Sequence, residues 1–122
     1  MATTISTQFE GIRNLVVTVR ITTTTAGAIV VDATTLSIPC RTFSIRKIIY
    51  DVGTGNVAFL YFGPAQDRLI LLMSPGNGQT VDINQSGGAS YNVSPTNQII
   101  SVDANVTGTD GITFVLYLVK KY

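Results

Sequence analysis

The sequence contains no histidine, which removes the commonest general base and the commonest metal ligand together. Cys40 is the only cysteine, so zinc sites built from four cysteines or from paired cysteines and histidines, Cys-x-x-Cys redox motifs and intramolecular disulfides are excluded within one chain. The fold must stand on its core, and the lack of bridges fits assembly in a reducing cytoplasm. Tryptophan is absent, charged residues make up 12% of the chain, and Glu10 is the one glutamate. That is a poor supply for exposed helices, which lean on Glu, Lys, Gln and Arg. Eight cationic residues face seven acids, with no basic run beyond Arg46-Lys47 and Lys120-Lys121, so a strong electrostatic hold on nucleic acid is not expected. Residues 1–10 are Thr/Ser-rich with no apolar h-region, so no secretory signal is expected. Apolar runs such as Leu69–Met73, five residues, fall far short of the roughly 20 needed for a spanning helix, so no membrane is expected as a partner.

What the chain has in abundance is Thr, Val and Ile, with 17, 13 and 13 copies, so 43 of its 122 residues are β-branched. Such side chains are stiff at χ1 and suit a pleated surface. Residues 14–24 give the cleanest strand, with Leu15, Val17, Val19 and Ile21 on one face and Thr18, Arg20 and Thr22 on the other. Ala28–Asp32 is a second run. Phe43–Val52 alternates next, with Ile45, Lys47 and Ile49 opposite Arg46, Ile48 and Tyr50. Turn formers at 51–56 then lead into Val57–Phe62, apolar on both faces, and the pair reads as a hairpin. Arg68–Met73 reads as a strand buried on both faces. Weaker runs follow at 80–84 and 91–93, then Gln98–Asp103 and Ile112–Lys120, with Asp110-Gly111 starting the last strand. No amphipathic helix alternates with these runs.

The expectation is all-β: a single antiparallel β-sandwich or jelly-roll-like domain of about eight short strands over residues 12–122, preceded by a polar N-terminal arm at 1–11. The mean hydropathy of +0.34 with so little charge leaves weak repulsion between surfaces and hints at permanent assembly.

No group of residues assembles a catalytic motif, and neither an enzyme nor a cofactor is expected. Asp103, Asn105, Thr107, Gly108 and Asp110 space like a calcium loop, but Phe114 stands where an EF-hand needs its bidentate glutamate, so turn chemistry is the better reading. Gly53-Thr54-Gly55 and Gly76-Asn77-Gly78 lack the Lys-Ser/Thr of a P-loop and read as turns. Cys40 lies beside Arg41, but with no histidine as base it reads as a partly buried small apolar residue. The aromatics fall mostly in strands and read as core; Tyr50 and Tyr61 are the candidates for an exposed stacking platform.

The run Lys47-Ile-Ile-Tyr-Asp-Val52 before a Gly-rich turn, the strand Asp67-Arg-Leu-Ile-Leu-Leu72 and the terminal stretch Thr109–Tyr122 with its Lys-Lys together resemble small β-rich virion proteins of tailed phages. The similarity runs over about residues 43–122, by pattern and order rather than by an invariant motif. It implies a capsid decoration (cement) protein on the outer surface of the head, bound to the major capsid protein and commonly a homotrimer. Thr3, Thr4 and Ile5 in the arm are expected to add main-chain hydrogen bonds to a neighbouring sheet. Arg13, Arg20, Arg41 and Arg46 are expected to include contacts to an acidic coat surface. A tail, neck or fibre-attachment role, and a carbohydrate-binding module using Tyr50 or Tyr61, are the alternatives.

Overall fold

Period-two alternation sets which residues face inward. In the computed structural model, which describes residues 3–63, 68–82, 99–107 and 110–122, Leu15, Val17, Val19 and Ile21 are all buried while Arg20 is exposed on the opposite face. The fold is all-β, with nine strands among the described residues: β1 (Thr3–Glu10), β2 (Asn14–Ile21), β3 (Thr25–Asp32), β4 (Thr42–Val52), β5 (Val57–Phe62), β6 (Arg68–Met73), β7 (Gly76–Asp82), β8 (Ile99–Asn105) and β9 (Ile112–Lys121). They form two antiparallel sheets, ordered β1-β2-β9-β4-β7 and β3-β8-β5-β6. The inner faces share one core in which Phe43, Phe62 and Phe114 are the largest fully buried side chains. Each buried side chain of this size stabilises by roughly 1.5–3 kcal/mol relative to exposure, so the core carries the fold without staples.

The pairing is nested: β2 with β9, β3 with β8, β4 with β7, and β5 with β6 at the centre. Consequently the β4–β5 connection at 53–56 is not a hairpin. It crosses between sheets, and β4 pairs with β9 and β7 instead. Gly55 sits there at φ 84° with its missing Cβ site 2.9 Å from Thr107 Oγ1, a place where a side chain meets both strain and a clash.

Four further features differ from the sequence reading. Residues 3–10, expected as an arm, hydrogen-bond to β2 as the outermost strand of the five-stranded sheet. In β4 the ladder skips Arg46 between Ile45 and Lys47. This bulge resets the alternation, so Ile45, Ile48 and Tyr50 all face the core, whereas Lys47 and Ile49 lie on the other face. The strand β6 pairs only with β5, which leaves Leu69 and Leu72 about half exposed rather than buried on both faces. Gly76-Asn77-Gly78, read as a turn, opens β7, with Gly78 at φ 63° and its N–H donating to Asp51. The runs at 83–84 and 91–93 and the Gly-rich stretch 86–88 lie outside the described residues.

All four edge strands are irregular. The register shifts at Gln8 in β1, at Val30 in β3, at Ile70 in β6 and near residues 77–78 in β7. Bulges of this kind twist an edge away from strand addition by another chain.

Candidate functional site

The antiparallel return of β9 beside β2 and β4 collects Arg13, Arg46, Lys120 and Lys121 at one end of the sandwich. The turn between β1 and β2 is closed by the Gly11 N–H donating to Asn14 O at 2.8 Å. It places Arg13 beside the end of β9, where the Lys120 N–H donates to Arg13 O at 2.7 Å. On the other side the Arg41 N–H donates to Lys121 O at 2.8 Å. The β4 bulge adds Arg46, half-buried, to the same end. Ile12, Arg13, Arg46, Val119, Lys121 and Tyr122 line a shallow cavity of about 520 Å³ whose inner wall is Lys120. Ile12 and Tyr122 are 73% and 60% exposed, the two most exposed large apolar side chains described, so the site combines an apolar lining with a cationic rim. The Tyr122 hydroxyl donates to Ile12 O and fixes the two together.

Behind this surface lies an ion pair. Lys120 takes an inward position on β9 and is only 4% exposed. Its ammonium donates to Glu10 Oε2 and to Ile38 O, both at 2.8 Å, and the Ile38 N–H donates to the same Glu10 oxygen at 2.9 Å. Lys120 above all, then the Ile38 N–H, holds the Glu10 carboxyl below its ordinary range. Glu10 thus offsets Lys120, the one buried cation among the described side chains, while Arg13, Arg41 and Lys121 reach solvent.

The structure therefore splits the expected partner-binding residues in two. Arg13 and Arg46 line one cavity, and Arg41 lies at the same end with its N–H bonded to Lys121 O. Thr3, Thr4, Ile5 and Arg20 lie at the opposite end, because β1 runs antiparallel to β2 and Thr4 sits across from Arg20. Arg13 and Arg20 stand about 23 Å apart along β2 at about 3.3 Å per residue. Arg20 is engaged locally, donating to Thr113 Oγ1 at 2.8 Å. That far end also carries Asp51 and Asp110 beside the interlocked loops, where the Asn56 amide donates to Asp110 O at 2.7 Å and accepts from the Thr107 N–H at 3.0 Å. Asp103 accepts from the Gly27 N–H at 2.6 Å; residues 108–109 of the calcium-like spacing lie outside the described residues. Sequence reasoning missed Ile12, Lys121 and Tyr122, and the only signal for them was an apolar residue between Gly11 and Arg13 and the terminal Lys-Lys-Tyr.

Of the two tyrosines weighed as stacking groups, Tyr50 is buried in the core at 9% exposure. That is a correction: the Arg46 bulge turns it inward. Tyr61 lies half-buried on the outer face of the four-stranded sheet, its ring 6.4 Å from that of Phe59 at an interplanar angle of 16°. Burial pushes the Cys40 thiol up from its ordinary range and leaves it un-ionised at neutral pH.

No protein family, curated protein or solved structure matches the chain.

Proposed function

We propose that the protein is a structural component of a virion, a capsid decoration (cement) protein that is assembled in the host cytoplasm and binds the outer surface of a tailed-phage head. Its partners are the major capsid protein and further copies of itself, as a trimer. The observation that carries this reading is the clustering of Arg13, Arg46 and Lys121 around the apolar pair Ile12 and Tyr122, with Arg41 bonded through its main chain to Lys121 at the same end of a sandwich with bulged edges. Such a surface fits an acidic patch on a protein lattice: the cations set approach and register, and the apolar pair supplies the desolvated contact. The nested pairing of β2 to β9 supports the jelly-roll reading of the sandwich, an architecture found in viral capsid domains.

Copy number in purified virions relative to the major coat protein tests the role. A ratio near one, or one trimer per local three-fold, is the expected result. A handful of copies would reassign the chain to the tail, neck or fibre attachment, and none would remove the virion reading. The contact is tested separately by Arg13→Ala/Arg41→Ala/Arg46→Ala, which should weaken particle binding by about 1–3 kcal/mol in total and flatten its salt dependence. Arg20→Ala should leave both unchanged.

One observation favours a second reading. The near-parallel rings of Phe59 and Tyr61 on an outer sheet face suit a carbohydrate-binding module, and glycan binding abolished by Tyr61→Ala would support it.

A further inference from the structure

The cavity at the basic end, about 520 Å³, lies within the volume range of ligand sites. Arg13, Arg46 and Lys121 line it together with Ile12, Val119 and Tyr122, and among the described residues no Asp or Glu does. Glu10, the acid closest to Arg13 in sequence, is spent on Lys120 behind the wall. Ladder pairing sets Val119 between Asn14 on β2 and Ser44 on β4. Side chains directly opposite each other share one face of the sheet, with Cβ atoms about 4.5–5.5 Å apart, so Ser44 is the immediate neighbour of a cavity wall. It is 1% exposed, and its Oγ is the one buried side-chain polar atom among the described residues with no hydrogen-bond partner. A buried hydroxyl left unpaired costs free energy and calls for a reason.

We infer that the cavity holds an acidic segment of the partner protein: its carboxylate is met by Arg13, Arg46 and Lys121 and, as Val119 turns aside, by the Ser44 hydroxyl, and the segment's next apolar side chain lies on Ile12 and Tyr122. This rests on the reading of the basic end as the contact surface and names the chemistry that surface selects. Charge complementarity fixes the occupant. Three cations around a cavity lined by no described acid favour an anion, and guanidinium groups match the planar carboxylate. The exposed apolar pair Ile12 and Tyr122 gives the residue beside that carboxylate a contact that excludes water. A nucleic-acid backbone suits the site poorly, because such binding sums many phosphate contacts and the chain carries a formal charge of only +1. A hydroxyl that donates to an ionised acceptor makes one of the stronger hydrogen bonds, so Ser44 contributes in the complex what it lacks in the free chain.

The test is titration of the isotope-labelled full chain with the end-blocked tripeptide Asp-Leu-Asp, followed by amide proton–nitrogen correlation spectra. Saturable shifts at Ile12, Arg13, Lys121 and Tyr122 are expected, with a dissociation constant below about 1 mM. The uncharged tripeptide Asn-Leu-Asn should produce none. Ser44→Ala should weaken the acidic peptide by about 10-fold or more, because a hydrogen bond to a charged group is lost. Its Tm should stay level or rise, since the free chain loses only an unpaired hydroxyl. Arg13→Ala/Lys121→Ala should weaken the peptide by about 10-fold through two exposed charge contacts, and Arg20→Ala, at the far end, should leave it unchanged. No saturable shift up to about 10 mM peptide, a Ser44→Ala affinity equal to wild type, or a short single-stranded oligonucleotide that binds more tightly than the peptide overturns the inference. A chain abundant on particles that ignores the peptide keeps the virion reading and removes this one; a chain that binds the peptide but is absent from virions does the reverse.

Discussion

Removing Glu10 is expected to destabilise the protein far more than its place in an edge strand suggests. Lys120 stands one inward step past Leu118 on β9, and its ammonium has Glu10 Oε2 and Ile38 O as partners at 2.8 Å. Taking one member from a buried pair leaves an uncompensated charge and typically costs 3–5 kcal/mol, and because Glu10 keeps 15% of its side chain in contact with solvent the lower end applies, about 3 kcal/mol for Glu10→Ala. In a domain of this size that lowers Tm by about 12 °C. The double variant Glu10→Leu/Lys120→Met should recover most of the loss, since a well-packed apolar replacement of a buried pair is often neutral. The pH dependence follows in sign. The Glu10 carboxyl is held low by Lys120 first and the Ile38 N–H second. Its contribution is fully present above the unfolded value of about 4.3 and is lost as pH falls through the lowered folded value. Urea unfolding should therefore show wild type and Glu10→Gln separated by a constant gap above about pH 5 that closes as the medium is acidified further. A gap that persists unchanged to pH 3, or a Glu10→Ala Tm within about 3 °C of wild type, would refute the reasoning.

Deleting residues 2–10 removes both Glu10 and the cover on β2, so the shortened chain should lose at least as much stability as Glu10→Ala and aggregate through the newly open β2 edge; light scattering on heating measures it. Gly111→Ala would put a Cβ 2.6 Å from the Ile21 carbonyl oxygen, backbone that cannot yield, and should cost about 2 kcal/mol by chemical denaturation. Gly27→Ala meets open space at φ 65°, so it carries the left-handed strain alone, about 1 kcal/mol. Cys40 should react with iodoacetamide only on unfolding, and rapid labelling of the native chain at pH 7 would show that its burial is wrong.

The sandwich was legible because β-branched runs recur between turn formers, and in β2 period-two alternation survives with Leu15, Val17, Val19 and Ile21 inward and Thr18 and Arg20 outward. Four things were not. An apolar run such as Leu69–Met73 reads the same in the middle of a sheet as at its rim, because what distinguishes them is a missing neighbour that no residue of β6 encodes. The bulge at Arg46 has no compositional mark, and one skipped residue moved Tyr50 from candidate surface group to core. The basic end is assembled from Arg13, Arg41, Arg46 and Lys121, positions spread over most of the chain, and only the register of β9 against both β2 and β4 brings them to one place. Lys120 was legible as a charge but not as a buried one, since its burial depends on Glu10, 110 residues away.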